Sequence, residues 1–351
     1  MEVIIVGCGP AGAYCAYKLA QKGIDVLILD HSIPREKPCG GGITQSVVDK
    51  FSEIKRFSSE GFASPCVRVF SCTNYEIETT RIGFAFNISR KYFDQEIFKL
   101  AVEAGAKFIR EKVVDIRRKE KVWKVETSNQ VLSAKIIIGA DGINSLIRKK
   151  TIGQIQAENL GLGYGYLAEG TEKEPNTIKF LETIPGYIWV FPRGKVSCFG
   201  IGSETKYGSK FKALLDQFIR DHYPNIKVVS QFAALLPMVK NPVFFSLPAG
   251  GKDWALIGDA AGHADPITGE GILYALWSAK LASEAINRND LLTYNESWKK
   301  EYGNRLMERA RNRNSFYNPL RIELMIRFLD NKKSPFSDFL AGTNNRVQNR
   351  K

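Results

Sequence analysis

Three glycines near the start of the chain, Gly7, Gly9 and Gly12, with Ala11 between them, stand at the GxGxxG spacing. Without a Cβ, the backbone at such positions can turn tightly and bring its N–H groups up to a pyrophosphate at a helix N-terminus. The flanking elements fit that task. Met1 to Val6 predicts a short buried strand, Ala13 to Lys22 a helix that Gly23 ends, and Val26 to Leu29 a second apolar strand. This last strand delivers Asp30, an acid placed to accept hydrogen bonds from a ribose. A GxGxxG alone is a weak signal; here strand, helix, second strand and acid all fall where a dinucleotide needs them.

A second glycine set lies about 250 residues downstream: Gly258-Asp259-Ala260-Ala261-Gly262, followed by Pro266 and Gly269-Glu270-Gly271. An NAD dehydrogenase needs only the first unit. A late Trp254-Ala255-Leu256-Ile257 strand running into Gly258-Asp259 resembles the second FAD-contacting loop of flavoproteins related to para-hydroxybenzoate hydroxylase. The resemblance implies that Asp259 contacts the flavin ribityl chain and that a helix starting near Gly271 and Ile272 aims its positive end at the ring. A reduced flavin carries negative charge at its pyrimidine edge, and a helix N-terminus stabilises an anion there. FAD is the expected cofactor.

The elements that must position these residues predict an α/β protein: a Rossmann-like FAD-binding domain interleaved with an antiparallel-sheet substrate domain, then C-terminal helices. The FAD-binding part is expected over residues 1–61, 87–158 and 245–285. The sheet domain is expected over 62–86 and 159–244, and a helical region over 286–351. Within these, 62–86 reads as short strands, 88–106 as helix, 107–142 as strand, hairpin and strand, and 160–240 as strand-rich. From Thr268 onward the chain reads as mostly helical, with a break near Asn318-Pro319.

With 351 residues, 44% hydrophobic and 25% charged, the chain can bury a sizeable core in about two domains. The first residues already form the nucleotide-binding strand, and no apolar run approaches the ~20 residues that span a bilayer. The expected location is the cytoplasm, peripheral to a membrane if the basic end docks there. The six cysteines (Cys8, Cys15, Cys39, Cys66, Cys72, Cys198) show no metal-like CxxC pairing, so no metal site is expected, and their sparseness suits a reducing compartment. The net charge of +13 is uneven: from Arg288 to the end, fourteen Lys/Arg stand against seven Asp/Glu. That stretch is either a solvated helical surface or a face for an anionic membrane or a phosphate-bearing substrate. No nucleic-acid module accompanies the charge.

Smaller motifs fit the same frame. Arg90, before Phe93-Asp94 at a helix start, resembles an Arg that contacts the dinucleotide in related flavoproteins, and Val114 matches the place where such proteins bind adenine through backbone groups. Gly139-Ala140-Asp141-Gly142, with Arg148 following, reads as a structural turn near the pyrophosphate. Lys37-Pro38-Cys39-Gly40-Gly41-Gly42 and Tyr187-Ile188-Trp189-Val190-Phe191-Pro192 complete the set. Together they make the chain resemble the geranylgeranyl reductase family, FAD enzymes that saturate double bonds of isoprenoid chains. By position the resemblance implies flavin contacts at Gly12, Asp30, Cys39, Gly40, Gly42, Arg90, Val114, Asp259, Gly271 and Ile272. Two departures stand out: Asp30 is where the family usually has Glu, and Pro185 lies one place closer to Tyr187 than the family pattern.

The implied chemistry makes sense of these residues. An isolated trisubstituted alkene is a poor hydride acceptor, because no carbonyl polarises it. Partial protonation would place positive charge on the tertiary carbon, which hydride from reduced flavin then attacks. Tyr187, Trp189 and Phe191 alternate along a strand, so their rings share a face. Aromatic faces over that carbon would stabilise its charge by roughly 0.5–2 kcal/mol each and accept an apolar chain; the alternative is that the rings are core. Cys39 and Tyr187 are the candidate catalytic groups, with His263 and Asp265 as further proton-donor candidates by neighbourhood. Glycines 40 to 42 clear space for the Cys39 loop to approach a ring system.

The expected substrate is an isoprenoid lipid or prenyl diphosphate, with NAD(P)H or ferredoxin as electron donor. Two other classes share the motifs. One is a flavin monooxygenase or halogenase, whose WxWxIP stretch Tyr187 to Pro192 partly mirrors. The other is an electron-transfer flavoprotein that docks a redox partner.

Overall fold

The computed structural model describes residues 1–330. Strands and α-helices are numbered in chain order over these residues. The described chain forms two compact units, Met1–Lys37 with Arg90–Leu160 and Leu236–Arg313, and Pro38–Ser89 with Gly161–Leu235 and the described residues from Asn314.

The first unit is built on a five-stranded parallel sheet. Its centre is β1 (Val3–Val6), flanked by β2 (Val26–Leu29) and β11 (Ile136–Gly139), with β7 (Lys107–Ile109) and β17 (Trp254–Leu256) at the edges. Every residue of β1 and β2 is buried. Such continuous apolar strands suit a parallel sheet covered on both faces. Helices α1 (Pro10–Ala20), α4 (Arg90–Glu103) and α7 (Ile272–Asn287) pack about it, with α1 touching both of the others. A small antiparallel sheet of β8 (Val113–Lys119), β9 (Val122–Thr127) and β10 (Val131–Ala134) follows β7, and α5 (Leu146–Thr151) follows β11. Helix α8 (Thr293–Trp298), one π-helical turn (Lys299–Gly303) and α9 (Asn304–Phe316) follow α7.

The second unit centres on a seven-stranded sheet in the order β16 (Lys227–Pro237), β12 (Leu160–Glu169), β15 (Ser197–Glu204), β14 (Tyr187–Pro192), β13 (Asn176–Phe180), β4 (Val67–Phe70) and β5 (Glu76–Thr79). A two-stranded sheet of β3 (Gly42–Thr44) and β6 (Phe84–Asn87), short helices α2 (Gln45–Lys50) and α3 (Ser52–Lys55), and α10 (Pro319–Asp330) belong to it. The strand-rich expectation for 160–240 needs one correction: Gly208–His222 is helix α6. Its Phe211, Leu215 and Phe218, at helical spacing, pack with Ile188, Val190, Phe199 and Ile201 of the sheet in one buried cluster.

Unit boundaries differ from the sequence expectation: residues 236–244 group with the nucleotide-binding unit and the described residues from Asn314 with the sheet unit, and two further segments change place. Residues 38–61 group with the sheet unit, because β3 pairs with β6 and Gly40 packs on Phe191. Residues 286–313 group with the nucleotide-binding unit, because Tyr302 meets His263 and Arg309 pairs with Asp265 there. Part of the basic C-terminal stretch, residues 331–351 with five Lys/Arg and one Asp, lies outside the described residues.

Candidate functional site

In the first unit the loops after β1, β2, β11 and β17 all leave the carboxyl ends of parallel strands, where open α/β sheets bind ligands. Gly7 closes β1 at φ +100°, and a Cβ there would overlap the carbonyl oxygen of Ala140; one on Gly12 would overlap the carbonyl of Gly7. These two glycines serve the closure of the turn itself. Gly9 differs. It is the N-cap of α1, makes no side-chain cap, and has nothing within 4 Å of its Cβ direction. That open side fits a pyrophosphate approaching the helix N-terminus.

The two distant glycine signatures meet in space. Gly258, at φ +58°, would carry a Cβ 3.0 Å from that of Ala11 and 3.5 Å from that of Ala275. The late turn is thereby wedged between α1 and α7. Gly271 is the N-cap of α7, again without a side-chain cap, and its Cβ direction ends 3.3 Å from Asp259 Oδ1. Ile272 begins the helix and is buried. Arg148 ties in the third loop. Its guanidinium donates to the Ala260 carbonyl at 3.3 Å and lies over the Phe244 ring, and burial lowers its pKa to about 10. Asp141 accepts from Ser145 Oγ at 2.5 Å and from Leu146 N at 2.7 Å, capping α5; burial pushes its carboxyl up against these hydrogen bonds. This is the structural turn expected there.

Asp30 is buried, and its carboxylate accepts from Cys8 N at 2.8 Å and from Ser32 N and Oγ at 2.7 and 2.8 Å. Burial opposes its ionisation, but the Ser32 and Cys8 N–H groups and the Ser32 hydroxyl outweigh that and hold the carboxyl below its ordinary value. A carboxylate offers about four lone-pair sites, so these three bonds leave room for one ribose hydroxyl. Arg90 is buried in a two-pronged pair with Asp94, Nε–Oδ1 2.8 Å and Nη2–Oδ2 2.9 Å, while Glu36 caps the start of α4 through Arg90 N and Lys91 N. Val114 falls at a bulge in β8: Val113 and Asp115 have partners on β9, and the residue between them is skipped. An unpaired bulge backbone is what an adenine would need. Its side chain is exposed.

In the second unit, β14 sorts its side chains as the alternation predicts. Ile188 and Val190 enter the core against α6, and Tyr187, Trp189 and Phe191 take the other face. That face is floored by glycine. Trp189 pairs with Gly200 across the sheet, and a Cβ on Gly200 would overlap the indole; Cβ positions on Gly202 and Gly163 fall 3.3 and 3.7 Å from it. Trp189 Nε1 donates to Cys198 Sγ at 3.4 Å, and Tyr187 lies 5.9 Å from the indole, ring to ring. The loop with Cys39 runs over the same rings: a Cβ on Gly40 would lie 2.7 Å from Phe191 and 3.2 Å from Trp189 Nε1, and one on Gly42 2.7 Å from Phe84. The rings approached by these glycines are thus the protein's own. Cys39 is half-buried, its Sγ accepting from Gly41 N at 3.4 Å.

Two proton-donor candidates are corrected. His263 is fully buried, packed at a tilt against Trp298, with Nδ1 2.9 Å from the Tyr302 hydroxyl. Burial and then the Arg148 charge push its pKa down to about 3, so it has no proton to give at neutral pH. Asp265 is buried, pairs with Arg309, and accepts from Ile267 N and Thr268 N at 2.8 and 2.9 Å. It closes the turn that leads to α7. The sequence reading missed Lys37, whose Nζ sits 3.0 Å from Asp259 Oδ2, and the glycine floor. The floor had a visible signal: glycines at alternate positions 161, 163, 165 and 200, 202. Among the described residues no cluster suits a metal ion, and no helix is long and apolar enough to cross a membrane.

Comparison with known proteins bears on the family and the fold. Residues 1–163 match the FAD binding domain family. An uncharacterized protein of Methanosarcina barkeri is 30% identical over 301 residues, 82% of this chain and 74% of the relative. The digeranylgeranylglycerophospholipid reductase 1 of Methanococcoides burtonii is 26% identical, over 97% of this chain and 91% of its own. Among solved structures, a geranylgeranyl bacteriochlorophyll reductase-like protein of Thermoplasma acidophilum superposes with a TM-score of 0.82 at 21% identity, covering 99% of this chain and 96% of that one. A flavin-dependent brominase superposes with a TM-score of 0.70 at 20% identity, covering 97% of each chain. At these identities the two structures report the fold alone.

Proposed function

The chain belongs to the geranylgeranyl reductase family of FAD-dependent oxidoreductases, and from that premise we propose that it saturates carbon–carbon double bonds of an isoprenoid chain. The relative in Methanococcoides burtonii is named for a digeranylgeranyl lipid and that of Rhodobacter capsulatus for geranylgeranyl diphosphate, so the substrate class proposed here is a prenyl lipid or prenyl diphosphate. The observation that carries the reading is Trp189 lying across Gly200, Gly202 and Gly163 beside Tyr187, on the sheet face turned away from the core. Glycine at these positions lets the indole lie close against the sheet; side chains there would push it outward into the space that an apolar chain needs.

Each residue then has a task. The turn at Gly9 receives the pyrophosphate, Asp30 the ribose, the Val114 backbone the adenine, and Asp259 with the start of α7 the flavin end. When bound and reduced, FAD supplies the hydride. Trp189 and Tyr187 hold the prenyl chain and, through their ring faces, stabilise positive charge at its tertiary carbon by about 0.5–2 kcal/mol each. The proton comes from Tyr187 Oη or Cys39 Sγ, since His263 is held neutral and Asp265 is paired with Arg309. An isoprenoid lipid resides in a bilayer, so the enzyme works at a membrane surface. NAD(P)H or ferredoxin provides the electrons.

The test is turnover without oxygen. The flavin is reduced chemically, prenyl diphosphates, prenyl lipids and quinones are supplied, and products are read by mass. Two hydrogens per double bond should appear as the flavin reoxidises, and Trp189→Ala should abolish most turnover with flavin still bound. No product from any prenyl substrate, together with rapid oxygen-dependent NAD(P)H consumption, would replace the reading by the monooxygenase one.

A further inference from the structure

We propose, resting on the prenyl-chain reading above, that Phe232 of β16 is a further substrate-contacting residue, one that selects for chain length. Two rows of cross-strand pairs prepare its place. Trp189 pairs with Gly200 and Gly200 with Gly165; in the next row Tyr187 pairs with Gly202 and Gly202 with Gly163. Directly paired residues point to one face of a sheet, so four glycines of β15 and β12 lie side by side on the face turned away from α6. The indole reaches onto this patch from β14, crossing Gly200, with its Cη2 3.7 Å from a Cβ built on Gly163. Phe232 reaches onto it from β16, the end strand on the far side of β12. A Cβ on Gly165 would lie 2.7 Å from Phe232 Cζ, so a side chain at 165 would expel the phenyl ring.

Paired residues such as Gly200 and Gly165 stand about 5 Å apart. The two rings therefore converge over adjacent glycines, and with Tyr187 they pave the sheet from β14 to its end strand. This paving is not core. Phe199, Ile201 and Tyr166, which alternate with these glycines, are buried in the cluster with α6; Tyr187, Trp189 and Phe232 lie outside that cluster and are each only partly buried. An uncharged strip of partly exposed rings suits a hydrocarbon chain laid across the strands. With reduction proposed beside Trp189 and Tyr187, the remainder of that chain runs over the glycines toward Phe232. From β14 to β16 is three strand spacings, about 14 Å. A twenty-carbon prenyl chain spans that width, whereas a ten-carbon chain held at Trp189 does not.

The FAD-loaded full chain is titrated with geranyl and geranylgeranyl diphosphate by calorimetry, and turnover of each is followed with chemically reduced flavin. Phe232→Ala should weaken binding of the twenty-carbon chain by about tenfold, and the loss should appear in KM rather than kcat. The ten-carbon chain should lose less than about twofold. As a second probe that keeps a ring in place, Phe232→Trp should gain emission that shifts on binding geranylgeranyl diphosphate and not on binding geranyl diphosphate. Undiminished twenty-carbon binding by Phe232→Ala, or added Phe232→Trp emission that the twenty-carbon chain leaves unshifted, overturns the proposal. So does an equal loss for both chain lengths together with a lowered thermal midpoint, which makes Phe232 a packing residue. Binding of neither chain by the wild-type protein overturns this proposal and the prenyl reading alike. Phe232-dependent binding without reduction overturns the reductase reading alone and leaves Phe232 in its role.

Discussion

Lys37 Nζ lies 3.0 Å from Asp259 Oδ2, an ion pair between residues 222 positions apart in the chain. It joins the loop after the first βαβ unit to the late Gly-Asp turn, and it holds the carboxylate at the point where the flavin's ribityl chain is proposed to bind. Both partners are partly exposed, with side-chain exposures of 34% and 21%. Such a pair contributes about 0–1 kcal/mol, so the two residues should differ in effect. Asp259→Ala should weaken FAD binding by about tenfold or more, or ~1.4 kcal/mol, while Lys37→Met should change it less than about fivefold. Flavin titration of the apoprotein measures both; equal losses would mean that Asp259 acts only through its lysine.

The glycines of the first turn should separate into two kinds. Gly12→Ala forces a Cβ onto the Gly7 carbonyl and should destabilise the apoprotein by more than about 2 kcal/mol. Gly9→Ala meets open space at φ −74°, so the apoprotein should change by less than about 1 kcal/mol. Its FAD affinity should nevertheless fall, because the methyl group stands where the pyrophosphate approaches. Urea unfolding with parallel FAD titration separates the two effects.

Gly200→Ala tests the glycine floor directly. The new methyl group overlaps the Trp189 indole and must displace it. Prenyl turnover should drop strongly with flavin content unchanged, and Trp189 emission should shift. Normal turnover with a displaced indole would return Trp189 to a packing role.

His263 should make the fold acid-sensitive. Its folded pKa is depressed to about 3 from an ordinary value of 6.5. Between those values the unfolded chain binds the proton and the folded one does not. Stability is therefore complete above about pH 6.5 and falls by about 1.4 kcal/mol per unit as pH drops toward 3. His263→Asn keeps a polar partner for Tyr302 and should flatten this part of the profile. An unchanged slope between pH 6.5 and 5 would assign the acid sensitivity to other groups.

Much of the nucleotide-binding unit was legible from residue order because its signals are local. Strand, turn, helix and acid lie within thirty residues, and their spacing reports the backbone that a phosphate requires. The alternation of Tyr187, Trp189 and Phe191 likewise placed three rings on one face, since strand periodicity needs no distant partner. Helix α6 was legible in principle, through Phe211, Leu215 and Phe218, but its flanking strands dominated the reading.

Tertiary structure alone decided the rest, because burial and long-range contacts are set by which elements meet. Nothing in the spacing of Gly40 reveals that it passes over Phe191 and Trp189, or that Gly258 is wedged against Ala11. The sequence presents His263 and Asp265 as ordinary titratable groups beside a Gly-Asp turn. Packing on Trp298 and Tyr302 takes water from His263 and leaves it neutral, and Arg309, arriving from α9, engages Asp265 in an ion pair. A residue's type and local spacing specify the chemistry it is capable of; the solvent and charge around it, which only the folded chain supplies, determine whether that chemistry is used.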